Sequence, residues 1–115
     1  MSKPKQARTP NHPAQLSSTF ADTAKLIGDF WTLRVIGTIA EANELRFGEI
    51  ERTIGNICPA TLTNRLKKLE DSAIIVRSTN TLDRQSVTYA LTDKGKDILP
   101  ILNAIRLFNS QHLRA

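Results

Sequence analysis

The stretch FGEIERTIGNICPATLTNRLKKLEDSAIIVRSTNTLDRQSVTYAL, residues 47–91, decides the fold. Phe47, Ile50 and Ile54 recur at i, i+3 and i+7, the period of a helix with one buried face. Gly55-Asn56 ends that helix in a turn. Cys58-Pro59 opens a second helix, because Pro59 suits the first helical position, where a missing N–H loses no partner. Leu62, Leu66 and Leu69 form its apolar stripe, and the helix runs to Asp71. Two β-rich runs follow, Ile74 to Thr79 and Val87 to Leu91, with polar Asn80 to Ser86 between them as a hairpin loop.

Outward from this stretch the chain is mostly helical. On the N-terminal side Trp31, Val35, Ile39 and Ala42 share one helical face, which Asn43-Glu44 ends. Leu45-Arg46 supports at most a two-residue strand. Ser17, Ser18 or Thr19 caps a shorter first helix, with Thr19 and Asp22 spaced as a capping box, Phe20, Ala24 and Ile27 as its stripe and Gly28 as its stop. Residues 1–15 hold Pro4, Pro10 and Pro13 among Lys, Gln, Asn and Thr; they read as a disordered basic arm, leaving 16–115 as the domain. Thr92-Asp93 caps a last helix toward Leu113, kinked at Pro100, which removes one backbone bond. The order is α-α-α-α-β-β-α, mainly α with a small β-hairpin (α+β). Two short helices joined by a tight turn and followed at once by a hairpin make a winged helix-turn-helix arrangement.

Composition narrows the function. A chain of 115 residues is one domain. A single cysteine excludes an internal disulfide and a Cys-rich metal site, and His12 and His112 near opposite ends argue against a His metal cluster. No metal or cofactor is expected. An enzyme is rejected as well: there is no Gly-rich phosphate loop, the carboxylates are scattered, and Cys58 has no histidine near it in sequence. The longest uncharged run, residues 9–21, is polar and too short to span a membrane, and the N-terminus has no apolar signal region. The expectation is a soluble, cytoplasmic protein with no membrane partner. Lys and Arg number sixteen against eleven Asp and Glu, net +5, which favours an anionic partner. Lys3, Lys5 and Arg8 supply three of those five charges, so five minus three leaves the body at +2. Local pattern therefore weighs more than the sum.

The local pattern is on the helix from Pro59 to Asp71. Opposite its leucines lie Ala60, Thr61, Asn64, Lys67, Lys68 and Asp71, flanked by Thr63 and Arg65. Asn pairs with adenine, Arg or Lys with guanine, and Ala or the Thr methyl with the thymine methyl, so this face suits the major groove of double-stranded DNA. Arg77 near the start of the hairpin, Arg84 and Gln85 in its loop, and Arg46 before the third helix are expected at phosphates or the minor groove. Two bland readings stay open: a solvated helix surface, and a winged helix used for protein–protein contact. The second would favour apolar anchors on this face. Double-stranded RNA is a weaker reading, since a helix cannot read its deep, narrow major groove.

Leu26-Ile27-Gly28, Trp31-Thr32-Leu33, Arg46-Phe47, Glu49-Ile50, Leu62-Thr63, Arg65-Leu66 and Leu69-Glu70, continued by Tyr89, Leu91-Thr92, Gly95, Leu99-Pro100 and Leu102, resemble the HxlR-type transcriptional regulators. The resemblance covers roughly Ser18 to Phe108. It implies a prokaryotic winged-helix DNA-binding protein, dimeric and similar to the broader MarR group. There are departures. The loop Asp83-Arg84-Gln85-Ser86-Val87 looks more like that broader group than like the Pro-containing HxlR wing. Ser18 stands where family members often carry a redox-sensing cysteine, so thiol sensing through that site is absent. Ala73 stands where the family has glycine; a positive φ there would strain it by about 1 kcal/mol, unless Ser72 or Asp71 takes that role.

The last helix has more apolar surface than one core needs. Ile98, Ile101, Leu102, Ile105 and Phe108 share a face, while Leu99 and Leu107 point elsewhere. With the resemblance, this predicts a homodimer through the first and last helices, with Phe20, Ile27, Leu99, Leu102, Leu107 and Phe108 at the interface and a pseudo-palindromic operator. Burial within the same chain is the alternative. Cys58, at a helix start that lowers a thiol pKa, is either a reactive thiol gating DNA binding or a small capping residue. Operator, target genes, direction of regulation and effector are not written in the sequence.

Overall fold

The structure is a computed structural model that describes residues 13–79 and 86–113, with side chains from residue 20 onward. Helix α1 spans Pro13–Ile27. It runs straight through the Ser17–Thr19 cap expected from the sequence, so residues 13–15 are helical where the arm was expected. Residues 1–12 of the arm lie outside the described residues. At the other end the Gly28 N–H donates to the Ala24 carbonyl at 2.8 Å. A Cβ at Gly28 would stand 2.2 Å from that oxygen, so the tight stop requires glycine.

Helix α2 (Phe30–Ala42) is N-capped by Asp29 and carries the core. Thr32, Val35, Ile36 and Ile39 are fully buried. Against them pack Ile50 and Ile54 of helix α3 (Phe47–Ile54) and Leu62, Leu66 and Leu69 of helix α4 (Pro59–Asp71). Glu49 fixes the start of α3 by accepting the Arg46 backbone N–H at 2.9 Å. At the end of α4 the Ile74 N–H donates to the Leu69 carbonyl and the Ala73 N–H to the Glu70 carbonyl, both at 2.9 Å. This is the Schellman pattern. It forces Ala73 to φ 62, so Ala73 itself holds the strained position and not Ser72 or Asp71.

Strands β1 (Glu44–Arg46), β2 (Ile75–Thr79) and β3 (Val87–Leu91) form an antiparallel sheet in the order β1-β3-β2. Leu45, Tyr89 and Arg77 make one cross-strand row; Arg46, Thr88 and Ser78 make the next. The hairpin expected from the sequence is thus a three-stranded sheet. β1 is a residue longer than expected because its partner is β3, far along the chain, and no local pattern reports that pairing. The result is a mainly helical fold with a small sheet, a winged helix-turn-helix in which α3 and α4 form the helix pair and β2–β3 the wing.

The last helix is not one kinked rod. Helix α5 is a short piece, Asp93–Lys96, capped by the Thr92 hydroxyl, which accepts the Gly95 N–H at 3.0 Å. A turn at residues 97–98 leads to helix α6 (Leu99–Phe108), continued by a π-helical turn at Asn109–Leu113. Pro100 therefore sits in the first turn of a new helix, where its lost N–H has no partner anyway. Gly95 holds the break in place: a Cβ there would meet the Ile74 carbonyl oxygen at 2.1 Å. Among the described residues no helix is long and apolar enough to cross a membrane.

Candidate nucleic-acid interface

Helix α4 divides its surface by period. Leu62, Leu66 and Leu69 are buried against α2. Ala60, Thr63, Asn64, Lys67 and Asp71, at i, i+3, i+4, i+7 and i+11, are exposed in one stripe. Thr61, Arg65 and Lys68 form a third, half-buried strip between the two. The sequence wheel put Thr61 and Lys68 on the open face; packing against the α1–α2 joint moves them to its edge.

The half-buried strip is bonded inward. Arg65 donates from Nε to Asp29 Oδ2 at 3.0 Å and from Nη2 to Asp29 Oδ1 at 3.4 Å. Its Nη1 donates to Asn64 Oδ1 at 2.9 Å. Lys68 Nζ donates to the Lys25 carbonyl at 3.0 Å. Arg65, expected as an open groove contact, is thus engaged by a carboxylate of the helix pair beneath it. Asp29 also accepts the Trp31 N–H at 3.1 Å and the Thr32 hydroxyl. Burial pushes its carboxyl up, but the Thr32, Arg65 and Trp31 hydrogen bonds and the Arg65 charge outweigh that and bring it from 3.8 to about 2. Asp29 was missed in the sequence. Its signal was there: an Asp directly before the Phe30-Trp31 start of an apolar helical run is a strong N-cap.

Beside the exposed stripe, Thr63 and Lys67 share a depression of about 170 Å³ with Phe47, Arg77 and Tyr89. Arg77 stands in the row of Leu45 and Tyr89, the sheet face turned toward α4. Arg46 is in the next row, hence on the opposite face, with Nη2 at 3.5 Å from Ser86 Oγ at the base of the wing. The structure therefore unites Ala60, Thr63, Asn64, Lys67 and Arg77, and separates Arg46 from them. Arg84 and Gln85 lie outside the described residues. Lys67 pairs with Asp71 at 3.0 Å, and that hydrogen bond and charge raise its ammonium above the ordinary lysine value. Cys58, exposed at the N-cap of α4, has its thiol held below the ordinary value by the Thr61 and Ala60 backbone N–H groups. Among the described residues no cluster of three metal-ligating side chains occurs.

Of the residues expected at a dimer interface, Phe20, Leu107 and Phe108 are 56%, 49% and 57% exposed. Ile27, 6% exposed, belongs to the chain's own core cluster, which leaves it little area for a partner. Leu99 and Leu102 are half-buried against that same core. Exposed instead are Ile101 and Ile105, on the outer side of α6.

The model of the HxlR-like helix-turn-helix family matches residues 26–115, from the end of α1 onward. The chain belongs to that family. An HTH-type transcriptional regulator of Halalkalibacterium halodurans is 38% identical over 86 residues, 75% of this chain and 76% of the relative. Another, from Methanothermobacter thermautotrophicus, is 40% identical over 79 residues, 69% of this chain and 60% of the relative. Among solved structures, the reduced form of the transcriptional regulator YodB from B. subtilis superimposes with a TM-score of 0.72 at 27% identity, covering 82% of this chain and 91% of that one. A Porphyromonas gingivalis W83 protein assigned to the MarR family of transcriptional regulators gives a TM-score of 0.72 at 26% identity, covering 97% and 100%. This HxlR-like chain is a transcriptional regulator with a helix-turn-helix DNA-binding domain. The relatives are regulators, not enzymes.

Proposed function

We propose that the protein binds double-stranded DNA sequence-specifically as a homodimer on a pseudo-palindromic operator, acting on the chromosome in the cytoplasm. The observation that carries this is the exposed stripe of α4: small and hydrogen-bonding side chains, with no apolar anchor, on a helix whose other face is locked in the core. Asn64 reads adenine, Lys67 reaches guanine or a phosphate, and Ala60 and Thr63 meet thymine methyls. Thr61 lies in the first turn, where the positive helix end favours phosphate. Arg77 extends the contact along the wing, while Arg46 serves the backbone or the minor groove from the wing's far side; Arg84 and Gln85, in the loop outside the described residues, are assigned the same kind of contact. Arg65 and Lys68 hold the helix in place.

The apolar outer side of α6 supports the dimer. Ile101, Ile105 and Phe108 follow one another at i, i+4 and i+7, all exposed, and Leu107 and Phe20 are exposed with them. Pairing two copies there would set two α4 helices on half-sites about 34 Å apart. Cys58 stands at the N-cap of α4 with an exposed thiol; DNA affinity unchanged by mild peroxide assigns it a capping place alone, and a changed affinity assigns it a sensing one.

Selection of the purified protein on a random duplex pool, with binding then titrated against salt, tests the reading. The expected result is an enriched inverted repeat and a steep salt dependence. Weak binding without an enriched motif overturns it and brings the protein-interaction reading forward.

A further inference from the structure

We propose that Asp29 is a positioning residue for base reading, acting through Arg65 on Asn64. The inference rests on the assignment of Asn64 as a reader of bases. Asp29 is not on the DNA-facing helix. It sits at the joint between α1 and α2, where the Trp31 N–H and the Thr32 hydroxyl fix its carboxylate. That anchored carboxylate grips the Arg65 guanidinium through Nε and Nη2. The third nitrogen, Nη1, is then fixed in the same plane, and it donates to Asn64 Oδ1 at 2.9 Å.

The geometry of a guanidinium makes this a relay. Its three nitrogens are coplanar in a rigid fork, so fixing two of them fixes the third. An amide oxygen has two lone pairs, so Asn64 Oδ1 accepts from Arg65 and retains a site for the adenine amino group. With the oxygen held, the amide nitrogen is directed away from Arg65, free to donate to the adenine ring nitrogen. Asn64 is exposed; without Arg65 its amide would turn freely and pay orientational entropy on binding. One helical turn further on, Lys68 ties the same strip of α4 to the Lys25 carbonyl at the end of α1. The reading helix is thus indexed against the joint that leads into α1, the helix bearing exposed Phe20.

Asp29→Asn separates this role from simple stability, because asparagine caps a helix as well as aspartate does while removing the charge that grips Arg65. Arg65→Lys is the second variant: it keeps a cation for Asp29 but has no fork to pass on to Asn64. Both are compared with Asn64→Ala by thermal unfolding, by binding to a panel of duplexes carrying each base at each operator position, and by the Arg65 Nε–H signal in ¹H–¹⁵N spectra without DNA. The expected result is that both variants stay folded and lose preference about tenfold at the base position that Asn64→Ala relaxes, and at no other. Combining either with Asn64→Ala adds nothing further. In the free protein the Nε–H signal, protected in the wild type, exchanges rapidly in Asp29→Asn. A lowered unfolding temperature with an unchanged base profile overturns the proposal, as does a uniform loss at every position. An Nε–H signal equally unprotected in the wild type overturns it too, and does so without DNA. A wild-type protein that selects no sequence refutes the base-reading assignment and the proposal with it, whereas a selective wild type with unaffected variants refutes the relay alone.

Discussion

Helices α4 and α6 both carry an apolar face, and they dispose of it in opposite ways. Leu62, Leu66 and Leu69 of α4 are sealed against α2, and the polar remainder faces solvent. In α6 only Leu99 and Leu102 reach the core, while Ile101, Ile105, Leu107 and Phe108 stay outside. The same hydrophobic effect acts on both. On α4 it is satisfied within the chain, which leaves the polar stripe rigid and pre-shaped. On α6 it is only half satisfied within the chain: these side chains are 40–57% exposed, and covering the remainder of each is worth roughly 1 kcal/mol. One helix is finished within the chain; the other leaves its apolar side open, and that side is the one assigned to the proposed dimer.

The comparison breaks most visibly at Leu62. Leu62→Ala is expected to destabilise by about 2–5 kcal/mol, independent of protein concentration, in denaturant unfolding. A loss that shrinks as the protein is concentrated would mean that α4 is also completed by association. Next in size, Asn64→Ala lowers affinity for the selected operator by about 1–3 kcal/mol with unfolding unchanged. Were its base preference intact, the stripe would be docked in the wrong register. Ile105→Lys is expected to do the converse: in sedimentation the proposed dimer should dissociate at least about tenfold more readily, ~1.4 kcal/mol, with the helical content of each protomer retained. An unaltered sedimentation profile would remove the α6 face from the interface.

Ala73→Gly sharpens the contrast at the C-terminus of α4. Glycine relieves φ 62 and raises stability by about 1 kcal/mol in thermal unfolding, less what glycine adds to unfolded-chain entropy. The smallest effect is linked to pH. The Asp29 carboxyl lies at about 2 in the folded chain against 3.8 ordinarily, so its contribution is fully present above about pH 4 and is lost as pH falls through about 2. Its side chain is 35% exposed, and solvent screening keeps the contribution modest. Asp29→Asn should flatten the fall in unfolding temperature between pH 4 and pH 2; an unchanged slope would show that Arg65 gains nothing from the charge.

Most of the scaffold was legible because it is written in local periods. The leucines of α4, the isoleucines of α3, the β-rich runs and the Pro59 start each carry their own signal. What misled the reading was a residue with two local meanings. Pro100 kinks a helix or begins one, and only the Thr92 cap and the close approach of Gly95 to Ile74 decide between them. Ser17–Thr19 reads as a cap or as helix interior, and in the fold it is interior to α1.

The sequence by itself determined which residues are apolar, at what period they recur and where the chain must turn, and these suffice for a winged helix with a polar face on α4. Only the tertiary structure decided which polar residues are free. Asn64, Arg65 and Lys68 are neighbours on one helix and indistinguishable in type from groove contacts. Asp29, thirty-six positions from Arg65, takes up the guanidinium, and the end of α1 takes up Lys68. Likewise, tertiary packing put Ile27 in the core and left Ile105 outside it, although both are isoleucines on a helical stripe. Period along a chain fixes a side chain's direction from its own helix; whether anything waits in that direction depends on segments brought near by folding.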